Sequence, residues 1–536
     1  MARKLLSGVA ALALVFSAGL ASAQDFSAER LSDSIRVISA DDFKGRYPGT
    51  EGETKTLEWL QAQYEAMGLE PGGRDGQWLQ PIELIKYTPV ADAARLTWQR
   101  AGAEPVALVQ GETVVVRAAT NDGQAKIEQA EVVFAGYGIT APERNWDDYG
   151  DVDVTGKVVL VVAGEPDGDL FNGEYTTNYA SGAYKADEAK RRGAVGVITL
   201  VAGDAQAPAW RRGLAGAGRT RTLAPGAADL EFSASVRGDV AEAWLPGFAE
   251  QVASLGTGEF KAEAVGGLTV SVEASETQEV LKTNNLVARL SGTTHADETI
   301  VFSAHWDHVG ENHNAPGEDK IFNGAWDNAS GTVGVVEMAR ELKAAGPFER
   351  TIVFLHVSAE EMGLLGSYAY AADPIYPLET TVANINIDML PLSGSTKDVA
   401  IFGLGQNTLE DDLDELAKAK GRYVGDDGQP QQGFYYRSDH FPFARAGVPA
   451  LMPWHGWDFV EGGREAGEAA WKERFGRVYH KPTDEWSEDL DFTSAVENLG
   501  LLYSLAVKLA NGRDWPQWKP TSEFGQVRAR SESARQ

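Results

Sequence analysis

Three short runs of apolar and β-branched residues, TIVFSA at 299–304, TIVFLHVS at 351–358 and VANINI at 382–387, are each followed within two residues by ionisable side chains. Runs of this length without polar alternation suit strands buried on both faces, as in a mostly parallel sheet covered by helices. Open α/β sheets gather their active sites at the carboxyl ends of their strands. Here those ends carry HWDH, then Glu360-Glu361, then Asp388. Between the first two runs, Val333, Val336, Ala339 and Leu342 recur at helical spacing, with Asp327 and Asn328 at the start and Gly346-Pro347 at the stop. The expected fold class is α/β, a mixed, mostly parallel sheet flanked by helices, over 278–512.

A chain of 536 residues exceeds one ordinary core, and 43% hydrophobic with 24% charged residues reads as globular. Segment 24–125 is expected to be the N-terminal part of the same domain, with helices on either side of GRYPGTEG at 45–52 and shorter alternating runs after it. From 126 to 277 the rhythm changes to EVVFAGYGI, GKVVLVVAG, a helix-like AYKADEAKRRGA and VGVITL, the pattern of a separate inserted unit. The tail, 513–536, is polar and expected to be loose.

The first 23 residues run from Arg3-Lys4 through an apolar stretch to Ala21-Ser22-Ala23. That is the pattern of a secretory signal, with cleavage before Gln24. Export to a bacterial periplasm or medium is the expectation, with no membrane span after cleavage. The chain has no cysteine, which excludes disulfides, thiolate metal sites and cysteine nucleophiles. Its net charge of −30, from 78 acids against 48 bases, argues against nucleic acid as a partner.

His305, Asp327, Glu361, Asp388 and His480 are candidate metal ligands, with Glu360 immediately before one of them. Zinc accepts imidazole nitrogen and carboxylate oxygen, and two zincs about 4 Å apart can hold a water and a scissile carbonyl between them. Asp307, two residues beyond His305, faces the same side of an extended chain and can support it from behind. His308 faces the other way in a strand. Asp327 can bridge two metals or merely cap the helix after it. Of two adjacent carboxylates after a strand, one can bind metal while Glu360 serves as general base. Tyr479 can donate to an oxyanion or simply pack. For the last ligand His440, in YYRSDHFPF, rivals His480.

The whole set resembles the co-catalytic di-zinc aminopeptidases, the group that includes bacterial leucyl aminopeptidase and glutamate carboxypeptidase. The resemblance is close over 284–509, where RSDHFPF and GVPA at 437–450 and TNNLVARLSGT at 283–293 also fit, and loose over 26–69. It implies a phosphorylase/hydrolase-like zinc exopeptidase fold. It implies two Zn²⁺ ions, one on His305 and Asp388 and one on Glu361 and His480, with Asp327 bridging and Glu360 as base. Over 131–200 the chain resembles the protease-associated domain, a non-catalytic insert of secreted peptidases. The expected activity is removal of N-terminal residues from peptides. The alternatives on this fold are a carboxypeptidase, a one-zinc glutaminyl cyclase and a binding protein that has lost its chemistry. Side-chain preference and oligomeric state are not legible.

Overall fold

The computed structural model describes residues 25–171, 173, 176–224 and 230–535; the signal segment expected at 1–23 lies outside the described residues. The strands Ala450–Leu451, Thr381–Asn386, His295–His305 and Arg350–Val357 lie side by side in that order and pair in parallel. Glu263–Leu290 and Leu79–Pro89 extend the sheet antiparallel. Every residue of Arg350–Val357 is buried, because successive side chains alternate between two cores. Ile300, Phe302, Ile352 and Phe354 join the larger one, with the helices Ala28–Ile38, Gly331–Ala345 and Thr493–Asn511. Val301, Val353, Leu355 and Val357 meet Tyr370 and Phe443 on the opposite face. Among the described residues no helix is long and apolar enough to cross a membrane.

A second sheet has four parallel strands, Gln124–Phe134, Val158–Val162, Gly196–Val201 and Phe232–Arg237, and cores of its own. One strand, Glu263–Leu290, belongs to both sheets. Up to Ser275 it pairs with Gln124–Phe134 and Arg95–Arg100, and from Glu276 with Leu79–Pro89 and then Arg350–Val357.

Two expectations need correction. Arg95–Arg100 and Val114–Ala118, assigned above to the N-terminal part of the catalytic domain, are strands of the second sheet. The strands that place them there, Glu263–Leu290 and Phe232–Arg237, lie more than a hundred residues away, and alternation within a strand does not reveal which sheet it joins. The tail beyond 512 is docked rather than loose. Phe524 is only 3% exposed, Trp518 Nε1 donates to Gly447 O (2.8 Å), and Arg528 donates to Leu378 O (3.0 Å) and Thr381 O (2.8 Å). Its anchors are single aromatics among charges, so they leave no periodic signal.

His356, in the middle of the central sheet, receives the Tyr64 hydroxyl on Nε2 (2.6 Å). Burial pushes its pKa down to about 3. A histidine depressed in the folded state costs stability as pH falls below its unfolded value of about 6.5, since only the unfolded chain binds the proton there. From pH 7 to pH 5 this group alone is expected to remove about 2 kcal/mol. In urea unfolding at the two pH values, His356→Gln should lose less stability than the parent by that amount; equal losses would contradict it.

Candidate active site

His305 is the last residue of its strand, Asp388 lies two residues beyond Thr381–Asn386, and Glu360 and Glu361 follow Arg350–Val357. All therefore emerge at the carboxyl edge of the parallel sheet. Asp327 arrives on the turn that starts the helix Gly331–Ala345, and His480 from the end of the helix Gly463–Val478. His305 Nε2 is 3.3 Å from Asp388 Oδ1, 3.5 Å from Asp327 Oδ1 and 4.0 Å from Glu360 Oε2. His480 Nε2 is 3.2 Å from Asp327 Oδ2 and 3.0 Å from Glu361 Oε2. Asp327 thus turns one oxygen to each histidine.

The positions are fixed from behind. Asp484 accepts from the amides of Trp326 and Asp327, both at 3.0 Å, and so shapes the Asp327 turn. Across the cis peptide that follows Asp327, Asn328 Oδ1 accepts from Gly331 N (2.8 Å) and Met389 N (3.0 Å), tying that turn to the Asp388 loop. Ser438 Oγ donates to Asp388 Oδ2 (2.5 Å) and receives Asn386 Nδ2 (2.7 Å).

The strand ends at His305, so strand alternation does not govern the next three residues. His308 accordingly faces inward, with Nδ1 2.6 Å from Glu361 Oε1, which corrects the expectation that it points away. Asp307 meets His305 Nδ1 through its backbone carbonyl (3.1 Å), not its carboxylate (3.8 Å). The carboxylate instead accepts Glu360 N (3.1 Å). Tyr479 lies between Phe475 and His480, at ring-centre distances of 4.2 and 3.9 Å. Burial raises its pKa, so the hydroxyl stays a donor. His440 packs against Tyr435 (4.6 Å) with both ring nitrogens unpartnered and its pKa pushed by burial to about 3; it makes no contact with the carboxylates of the cluster within ion-pair distance.

Arg46 was not legible as a functional residue. It is 1% exposed and donates to four carbonyls, those of Trp306 (2.9 Å), Ile38 (3.0 Å), Asn323 (2.6 Å) and Gly324 (2.8 Å). It therefore ties the loop after His305 to the turn before Asp327. Burial lowers its pKa to about 10, against the pull of Asp484, Asp327, Asp307 and Glu361, so it remains charged at neutral pH. Gly324, at φ +58°, lets these loops meet, since a Cβ there would stand 2.2 Å from Asp327 O and 2.5 Å from the His308 ring.

The charge balance shows what the cluster can hold. Burial raises Glu360 well above the usual carboxylate range, reinforced by Glu361 and Asp388, and raises Asp307 to about 8. Burial also opposes charge on His305 and His480, but the surrounding carboxylates outweigh it and lift both rings, His480 to about 10. His308 Nε2 and Asp307 Oδ2 are buried without partners. His305, Asp327 and Asp388 form one group of donor atoms within 4.8 Å of one another, and His308, Asp327 and Glu361 a second. An excess of buried carboxylate with imidazole nitrogen, grouped around a shared aspartate, fits divalent cations that accept nitrogen and oxygen donors.

Residues 285–503 match the sequence profile of Peptidase family M28. That stretch belongs to the family. Over 168 residues the chain is 34% identical to Aminopeptidase YwaD of Bacillus subtilis (strain 168), covering 30% of this chain and 32% of that protein. Over 182 residues it is 30% identical to Leucine aminopeptidase 1 of Sclerotinia sclerotiorum, covering 32% and 45%. The chain thus spans 32% to 45% of the length of these curated relatives. Among solved structures, an aminopeptidase from Aneurinibacillus sp. strain AM-1 aligns over 90% of this chain and 94% of its own, at 20% identity and a TM-score of 0.47. The M28 stretch contains every carboxylate and histidine of the cluster; Arg46 comes from outside it.

Beside the cluster lies a cavity of about 380 Å³. Glu360, Glu361, Tyr479 and His480 form one side, Tyr436, Phe441, Arg437 and Arg445 line it further out, and Asn178 and Ser181 of the second sheet's unit close it opposite. Arg445 pairs with Asp187 (2.8 Å) across that junction.

Proposed function

We propose that the protein is a zinc-dependent aminopeptidase that removes N-terminal residues from peptides, exported by its first 23 residues and carrying a protease-associated unit as its insert. The observation that carries the reading is the division of Asp327's two oxygens between His305 and His480, with Glu360 at the cavity edge. His305, Asp388 and Asp327 would hold one zinc; Asp327, Glu361 and His480 a second. His480 is preferred to His308 for the second because it alone faces both Asp327 and Glu361 within ion-pair distance, whereas His308 reaches only Glu361. Zinc bound there would supply Lewis acidity toward a peptide carbonyl and a lowered pKa for water.

The chain's own residues supply the rest. Glu360, held through its amide by Asp307, takes a proton from the attacking water and returns it to the leaving amine. Tyr479, kept protonated, donates to the carbonyl oxygen as charge develops there. The carboxylates attract the substrate's free ammonium, and the insert's Asn178 and Ser181 bound the space left for its remainder.

The test is mass-spectrometric digestion of a mixed peptide set, half with free and half with acetylated amino termini. Stepwise loss of single residues from free termini only is the expected result. Trimming from carboxyl ends, or internal cuts, would contradict it.

A further inference from the structure

The carboxylates of the cluster commit their oxygens unequally. Asp327 turns Oδ1 toward His305 (3.5 Å) and Oδ2 toward His480 (3.2 Å), so both are available to ions. Asp388 faces His305 with Oδ1 (3.3 Å), but its Oδ2 accepts the Ser438 hydroxyl (2.5 Å). Glu361 is divided in the same way. Its Oε2 faces His480 (3.0 Å), while its Oε1 lies 2.6 Å from His308 Nδ1.

A carboxylate that ligates a cation is deprotonated and only accepts hydrogen bonds, so the proton of this last contact belongs to His308 Nδ1. The imidazole is fully buried and hemmed in by its neighbours. A Cβ on Gly324 would stand 2.5 Å from its Cδ2, and the His480 ring meets it edge-on at 5.8 Å. A donor fixed in this way keeps Oε1 engaged. With Oε1 and Asp388 Oδ2 both taken, the cluster offers His305 Nε2, Asp327 Oδ1 and Asp388 Oδ1 to one ion, and His480 Nε2, Asp327 Oδ2 and Glu361 Oε2 to the other. Three protein donors and an open position is the arrangement of a catalytic zinc. Manganese, like magnesium and calcium, takes about six or more donors, mostly oxygen, and gains from a carboxylate that gives both of its oxygens.

We propose that His308 is a positioning residue that selects the metal: by occupying Glu361 Oε1 it restricts that side chain to one coordinating oxygen and so favours zinc over manganese at the site formed by Asp327, Glu361 and His480. This role rests on the two-zinc reading above. It is distinct from ligation, since His308 reaches Glu361 but not Asp327 within ion-pair distance.

The test is calorimetric titration of the purified, metal-free chain with zinc and, separately, with manganese, for the parent, His308→Leu and His308→Asn. The parent is expected to take two zinc ions and to prefer zinc to manganese. His308→Leu should leave one zinc unchanged, which also reports an intact fold, and weaken the other by roughly 10–100-fold, the usual effect of losing the group behind a metal ligand. Manganese should not weaken with it, so the preference at that site falls by the same factor. His308→Asn places an amide nitrogen near the position of Nδ1 and can still donate, so it should restore the parental preference. A zinc preference unmoved in His308→Leu would overturn the role. So would equal losses in the leucine and asparagine variants, which would reduce the ring to packing, and so would complete loss of one ion from both, which would make His308 a ligand. A parent that binds a single zinc would contradict the two-zinc reading itself, and this role with it.

Discussion

Glu360→Gln is expected to lower turnover by about 10²–10⁴-fold, the contribution of a positioned general base, while leaving bound zinc unchanged. The side chain keeps its size and its backbone bond to Asp307, and it stands 4.0 Å from His305, at the edge of the donor groups rather than within them. Glu361→Gln, one residue further, should behave differently. Its oxygens face His308 and His480 at 2.6 and 3.0 Å, so the change removes a donor and zinc content falls along with activity. Steady-state kinetics with metal analysis on both variants separates the roles. A Glu360→Gln enzyme with parental turnover would sink the assignment.

Arg46→Met should destabilise the fold by roughly 3–5 kcal/mol, since each buried acceptor left without its donor costs about 1–3 kcal/mol. Methionine fills much of the volume but leaves the buried carbonyls of Trp306, Asn323 and Ile38 without a donor and Gly324 O with only the Ala329 amide, and the Trp306, Asn323 and Gly324 carbonyls lie on the loops that carry His305 and Asp327. The variant is therefore expected to bind zinc more weakly as well, although Arg46 touches no candidate ligand within hydrogen-bond range. Urea unfolding measures the first effect and a zinc-chelator competition the second. A loss under 1 kcal/mol would mean that water replaces the guanidinium.

How much of this was legible follows from which forces act locally. Strand ends and the helix after Asp327 are set by short apolar runs and turn residues, so His305, Asp327, Glu361 and Asp388 could be picked out along the sequence, whereas His480 is preferred to His440 only through the family resemblance; all five are brought together in space. His308 lies three residues past the end of its strand, where strand alternation no longer sets which way a side chain faces. Asp307 meets His305 through its carbonyl rather than its carboxylate, and backbone contacts leave no mark on residue type. Arg46 resembles any surface arginine in a glycine-rich loop, and only the four carbonyls around it, three of them more than 250 residues along the chain, disclose its burial. The docked tail and the assignment of Arg95–Arg100 to the second sheet likewise depend on distant partners.

Metal content is the most direct test of the central claim that Asp327 joins two donor groups. The measurement is zinc per chain by inductively coupled plasma mass spectrometry, on protein equilibrated with zinc and then freed of excess, for the parent and for His480→Ala and Asp388→Ala. Two zinc ions per chain in the parent and one in each variant is the expected result. A parent that retains one ion or none, or a His480→Ala variant that still holds two, would contradict it.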